Sequence, residues 1–356
     1  MQFWVLTLLF VLAATSTIAQ QQPRASDKHQ TRARNGLIAY ASNTSGTFQI
    51  WASNPDGSNP RQLTTAEQGF QLAAHPAWSP DGSRLAFTGM AAGSLNVYVR
   101  NTDGSLLQLT TAAASTWTSM VPAWTADGQR VVFESNRAVS PEESTPDDPY
   151  DLYSVDVATG TDIQRLTVSV GNRTGGMGGK PSPCGKFLAF ASDRDASMPQ
   201  GLFDLYVVQL GPDGLPAGQP RRLTRGAANQ FSRSWSPDSK YLAFNSQVGW
   251  TGTAADKVGA GRIMTVKLSS GKLQTLTQPN DKYPAFASGG IFPALRGDVT
   301  PAWSPDGSRV AFASQRGPSG AFEVVSVRAS DGRDRRVVTS GSTEQHVTVA
   351  WQPVLA

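Results

Sequence analysis

The sequence predicts an all-β chain assembled from repeated four-stranded antiparallel blades. Three observations carry this: a motif that returns along the whole chain, a regular spacing between its copies, and no amphipathic helical pattern after the first twenty residues. The two clearest copies are Pro76-Ala77-Trp78-Ser79-Pro80-Asp81-Gly82-Ser83-Arg84-Leu85-Ala86-Phe87 and Pro301-Ala302-Trp303-Ser304-Pro305-Asp306-Gly307-Ser308-Arg309-Val310-Ala311-Phe312. Weaker copies centre on Trp124 and Trp235, a degenerate one places Pro181 where Trp belongs, and a last fragment holds Trp351. Successive centres lie 46, 57, 54, 68 and 48 residues apart.

Each unit resolves into four strands. Strand a ends in the Trp-Ser-Pro-Asp-Gly hairpin turn, where Pro presets φ and Gly accepts a backbone position closed to other residues. Strand b is an apolar run such as Tyr241-Leu242-Ala243-Phe244. Strand c alternates, as in Glu323-Val324-Val325-Ser326-Val327, giving one buried and one wetter face. A second turn (Pro55-Asp56-Gly57, Asp103-Gly104, Asp213-Gly214, Asp331-Gly332) leads to strand d. That strand ends in Leu-Thr at residues 63–64, 109–110, 166–167, 223–224 and 276–277, with Val338-Thr339 as the sixth. Strand b first occurs at Gly36-Leu37-Ile38-Ala39-Tyr40, whereas the last strand a lies at 347–352, so the chain starts at b and stops at a. Pairing that last strand with the first three makes a composite blade and hides both edges. The expectation is a six-bladed β-propeller of four-stranded antiparallel blades, one domain over residues 36–354.

The Trp-Ser-Pro-Asp-Gly, Ala-Phe, aliphatic-Tyr and Leu-Thr pattern resembles the WD-like Pro-Asp repeat of TolB-type six-bladed propellers, over essentially all of residues 36–354. The resemblance implies a fold, since its signature residues are turn and core residues. TolB carries a separate α/β domain ahead of its propeller, for which the 16 residues at 20–35 leave no room. Related propellers cap prolyl-oligopeptidase-type hydrolases, and no hydrolase domain is expected after residue 356. Some relatives, such as oligogalacturonate lyases, hold a metal through several channel histidines.

Composition excludes several function classes. The net charge is +4 and the pI about 9.3, but Arg24, Lys28, Arg32 and Arg34 against Asp27 account for most of it. No basic stripe remains to neutralise phosphates, so nucleic acid is not an expected partner. One cysteine, Cys184, excludes an internal disulfide framework and a Cys-based zinc site, and three histidines leave little for His-rich metal chemistry. The apolar run at 3–14 is too short to span a bilayer. Followed by Thr15-Ser16-Thr17-Ile18-Ala19, it reads as a secretory signal over 1–19. Residues 20–35 then form a flexible leader, and the mature chain is periplasmic or secreted, without a transmembrane segment, and expected as a monomer.

Loop lengths locate the expected binding face. The a–b and c–d turns are short except at 211–220, while the d–a connections 65–74, 168–179 and 278–300 and the b–c connections 136–149 and 247–260 share the other face. Long connections in compact domains are usually functional. Segment 278–300 carries Tyr283, Phe286, Ile291, Phe292 and Leu295, expected anchors for a partner. Other patches carry less. Gly175-Gly176-Met177-Gly178-Gly179-Lys180 imitates a phosphate loop, but Pro181 replaces the required Ser or Thr and no helix follows. Glu142, Glu143, Asp147 and Asp148 lack a Ca²⁺ ligand register. Ser135-Asn136-Arg137, Ser192-Asp193-Arg194 and Ser314-Gln315-Arg316 recur at the end of strand b, which points to structural hydrogen bonding. Asn43-Thr44-Ser45 and Asn172-Arg173-Thr174 are glycosylation sequons in a eukaryotic secretory host.

At the channel mouth, His75, Lys180, Arg233, Asp298 and His346 are expected to point around the axis, with the two histidines on adjacent blades. Two histidines fall short of the three protein ligands of a catalytic metal site, and no nucleophile elbow appears. No catalytic residue, metal site or cofactor is therefore assigned. The expected function is an exported, non-enzymatic scaffold binding a protein or glycan through the long-loop face. The alternatives are a polysaccharide-acting, lyase-like enzyme at the channel mouth, or a Tol-type envelope assembly component by family analogy.

Overall fold

The computed structural model describes residues 34–111, 117–137, 149–197, 199–225, 229–247, 260–278, 297–316, 320–339 and 344–354. Its 24 strands form six four-stranded antiparallel sheets. Five blades are built from consecutive strands, in the order inner to outer. The sixth, numbered blade I here, joins His346–Val354 to Arg34–Ser42, Gln49–Ser53 and Arg61–Gln62. The closing pair runs from Arg34 opposite Val354 to Ser42 opposite His346. Among the described residues the helical content is one 3-10 turn, Ala66–Gln68. The strand Pro216–Arg222 takes up most of the 211–220 segment, so the c–d turn there shrinks to 211–215 and joins the other short ones.

The repeated apolar residues explain the packing. Phe87, Phe133, Phe190, Phe244 and Phe312 occupy one position of strand b in five blades and are fully buried. Three of them stack on a strand-c tyrosine: Phe87 on Tyr98, Phe133 on Tyr153 and Phe190 on Tyr206, at 5.7–5.9 Å between centroids. Offset rings of this kind add about 0.5–1.5 kcal/mol beyond area burial. Two of the strand-a tryptophans donate to the neighbouring blade. Trp124 Nε1 donates to the Ala77 carbonyl at 2.9 Å, and Trp235 Nε1 to that of Lys180 at 2.8 Å.

The polar signature residues satisfy backbone groups. In the a–b turn, Ser79 Oγ donates to Asp81, whose carboxylate also accepts the Ser83 N–H, while Ser79 Oγ accepts the Arg84 N–H. The Ser236–Asp238, Ser304–Asp306 and Thr125–Asp127 pairs repeat the first bond at 2.6 Å. The Leu-Thr threonine has one job in all six blades: its hydroxyl accepts a strand-c N–H, from Ile50, Val97, Leu152, Leu205, Ile263 and Val324 respectively, at 2.8–3.0 Å. Without it each buried N–H lacks a partner, a cost of about 1–3 kcal/mol.

Inner strands line the central channel of a propeller. They are Leu72–Trp78, Ser119–Trp124, Met177–Pro181, Asn229–Trp235, Asp298–Trp303 and His346–Val354, in blades II, III, IV, V, VI and I. Five of them slip register once against strand b, and the strand of blade I slips twice; each slip is a β-bulge. At the bulge His75, Val121, Gly178, Thr300 and Thr348 adopt φ of +52 to +54°. For the four that carry a Cβ this costs about 1–2 kcal/mol each.

Candidate functional site

The strained bulges are held from the neighbouring blade. The Val121 N–H donates to Thr88 Oγ1 at 3.0 Å, and the Gly178 N–H to Glu134 Oε2 at 2.6 Å. Thr88 and Glu134 occupy the same place, one residue after the strand-b phenylalanine, so one position caps the next blade's bulge. The His75 N–H is capped differently, by Thr348 Oγ1 at 3.3 Å, while its ring Nδ1 lies 3.2 Å from Thr88 Oγ1.

Around this frame the channel wall gathers charge. Glu134 is 3% exposed, and burial pushes its carboxyl up to about 7 although the Gly178 N–H, Arg233 and Lys180 pull the other way. Arg233 is 4% exposed; its Nη1 donates to the Met177 and Gly178 carbonyls at 2.5 and 3.1 Å. Burial brings it down to about 10, opposed by the charge of Glu134. The Lys180 ammonium donates to the Pro122 carbonyl at 3.2 Å; burial and then the Arg233 charge lower it to about 8. His75 falls to about 3, through burial and the charge of Lys180, so its imidazole is neutral at pH 7. His75 and Lys180 are half-buried, whereas Glu134 and Arg233 are buried.

Most of the chain superimposes on a known propeller. TolB from Acinetobacter baumannii aligns at a TM-score of 0.65, with 20% identity, over 89% of this chain and 66% of that one. This is a TolB-like six-bladed propeller. In sequence the TolB likeness is short: 37% identity over 62 residues with the Tol-Pal system protein TolB of Bordetella pertussis, 17% of this chain and 14% of that protein. The TolB-like architecture also extends to an enzyme, an oligogalacturonate lyase from Vibrio parahaemolyticus, with a TM-score of 0.50 and 13% identity over 88% of this chain and 78% of that one. No protein-family model matches the sequence.

The five channel residues expected to be equivalent fall at four positions along the inner strands of this TolB-like ring. His346 and Asp298 begin their inner strands, nearest the long-connection face. His75 sits at the bulge. Arg233 and Lys180 come one and two residues beyond it, Lys180 at the level where Ala77 and Ala302 stand in other blades. His75 and His346 do occupy neighbouring inner strands, but the His346 ring lies edge-on to Tyr40, 5.5 Å between centroids, and burial lowers its pKa. Asp298 accepts from Ser314 Oγ at 2.7 Å. Among the described residues no three His, Cys, Asp or Glu side chains gather to hold a metal. Tyr283, Phe286 and Phe292 lie outside the described residues, as do Glu142, Glu143, Asp147 and Asp148.

The recurring Ser-x-Arg triplets have a structural use. Ser135 and Ser192 accept from the N–H and Nε of Arg137 and Arg194, and each guanidinium lies over the stacked aromatic pair of its own blade at 5.0–5.5 Å. Glu134 and Thr88 escaped sequence reasoning. Their signal was a polar residue after the strand-b phenylalanine, where other blades hold Ala191 and Ala313.

Proposed function

We propose that this chain is an exported, non-enzymatic scaffold that binds a protein or glycan through the face bearing its long connections. The asymmetry between the two faces carries this reading. One face is built of short turns, locked at the a–b positions by serine or threonine and aspartate. The connections 136–150, 248–260 and 276–297 all emerge on the other. The apolar run 3–14 ending at Ala19 supports export, and the similarity to a protein named for the Tol-Pal system supports a place in the cell envelope. Among the described residues no helix is long and apolar enough to cross a membrane.

The test is capture from a cell-envelope extract. The full chain retains a partner or glycan, and the double variant Phe286→Ala with Phe292→Ala retains at least tenfold less at an unchanged melting temperature, consistent with aromatic anchors of ~2 kcal/mol each. A double variant that melts far lower and captures normally once folded makes segment 278–300 a structural element and refutes the anchor assignment.

A second reading, a polysaccharide-acting enzyme at the channel mouth, is favoured by the two histidines on neighbouring inner strands and by the lyase likeness. Elemental analysis separates the two: a stoichiometric transition metal supports the enzyme.

A further inference from the structure

We infer that the channel wall spanning blades III to V is a binding site for a small oxyanion, a carboxylate or a phosphate, gripped by the Lys180 ammonium and the Arg233 guanidinium. Four observations converge on it. First, both cations are incompletely bonded. Arg233 Nε is buried and has no hydrogen-bond partner. Of the three N–H donors of Lys180 one is used, on the Pro122 carbonyl, among the described residues. Second, neither cation forms an ion pair among the described residues, because the one nearby carboxylate, Glu134, is turned to the Gly178 N–H. A buried cation without a counter-ion is expensive, and a bound anion relieves it.

Third, the guanidinium is preorganised. It lies across Gly178, where an added Cβ would stand 3.3 Å from both Nη atoms, and its Nη1 is fixed by two carbonyls. A planar fork held in this way meets an oxyanion with little further loss of freedom. Fourth, Lys180 and His75 on this wall are half-buried rather than fully enclosed. The charge balance agrees. At neutral pH Lys180 is protonated, Glu134 is about half protonated and His75 is neutral, which leaves the wall net positive.

Titration calorimetry of the full chain with inorganic phosphate and with malonate, each against chloride at matched ionic strength, tests this directly. The expected result is saturable binding of at least one of the two at one per chain. Binding falls at least tenfold in Lys180→Gln and is unchanged in Lys272→Gln, an exposed lysine on the turn face. Phosphate alone or malonate alone assigns the ligand class within the proposal. Circular dichroism confirms that Lys180→Gln is folded, so the test does not depend on Arg233 variants, whose guanidinium also holds backbone. No saturable binding of either anion, or undiminished binding by Lys180→Gln, overturns the site. Capture by the long-connection face does not use these residues, so the two readings fail separately.

Discussion

Blades I and IV carry the same four strands in the same order, and they fail differently. Blade IV has lost two signature residues, with Pro181 in place of Trp and Cys184 in place of Asp, and it still closes its turn. Ser182 and Gly185 keep the backbone bonds, Phe187 N–H reaches Ser182 Oγ at 3.0 Å, and Cys184 Sγ lies 3.3 Å from that hydroxyl where the carboxylate sits elsewhere. Blade I keeps its tryptophan but draws its inner strand from the far end of the chain. A blade tolerates losses because several bonds do each job, whereas the seam rests on a single strand. Where blade IV departs from the repeat, it places Lys180 in the wall in the position of an alanine.

The largest effect should come from breaking the seam. Deleting 345–356 strips the inner strand from blade I, with buried Val347 and Trp351, and leaves Arg34–Ser42 as a bare edge. Cooperative thermal unfolding should vanish by circular dichroism; a truncated chain melting within a few degrees of the full one would remove the contrast between the blades.

Next comes Trp235→Ala, which deletes a tryptophan stacked on Phe187 and bonded to the Lys180 carbonyl, expected to cost ~3–5 kcal/mol in urea unfolding. The contrasting loop position Trp250 lies outside the described residues. A loss below ~1 kcal/mol would mean that the blade-to-blade tryptophan matters as little in blade V as it does in blade IV.

A smaller effect is expected with pH. His75 has its folded pKa at about 3, below the ordinary 6.5, so between those values the folded chain binds fewer protons than the unfolded one. Its share of stability is therefore complete above pH 6.5 and is lost as pH falls toward 3. Glu134 acts oppositely: its carboxyl is raised from 4.5 to about 7, so its share declines as pH climbs through that window. Melting temperatures of His75→Gln from pH 3 to 8 should show a shallower acid limb than wild type, and an unchanged limb would refute the buried neutral imidazole. The smallest effect is Cys184→Asp, which restores the repeat's turn and should stabilise by about 0.5 kcal/mol. A loss instead would show that blade IV has adapted to its thiol.

Much of the fold was legible because its rules act on neighbours in sequence. The Leu-Thr or Val-Thr pair bonds within one blade and its six copies announce six blades, while the a–b turn and the five strand-b phenylalanines mark the same period. The channel was harder to read. Its bulges hold His75, Val121, Thr300 and Thr348 at positive φ, residue types that give no backbone signal there, and a bulge shifts the register of every side chain around it. That is why His75, Lys180, Arg233, Asp298 and His346 looked equivalent and stand at four positions along their strands. Glu134 was hidden for a related reason: its partner, the Gly178 N–H, belongs to another blade 44 residues away.

The seam also sets an order of events. The Leu37 N–H finds its acceptor on Gln352, 315 residues later. On a ribosome the strand Arg34–Ser42 emerges early and must wait, its edge unpaired, until 346–354 has been made. Ring closure therefore comes after the other blades have been made, and it joins the most distant partners in the chain. Until then the open arc offers a sticky strand edge to any neighbouring chain. Nascent chains should need either a holding chaperone or swift removal from crowded company.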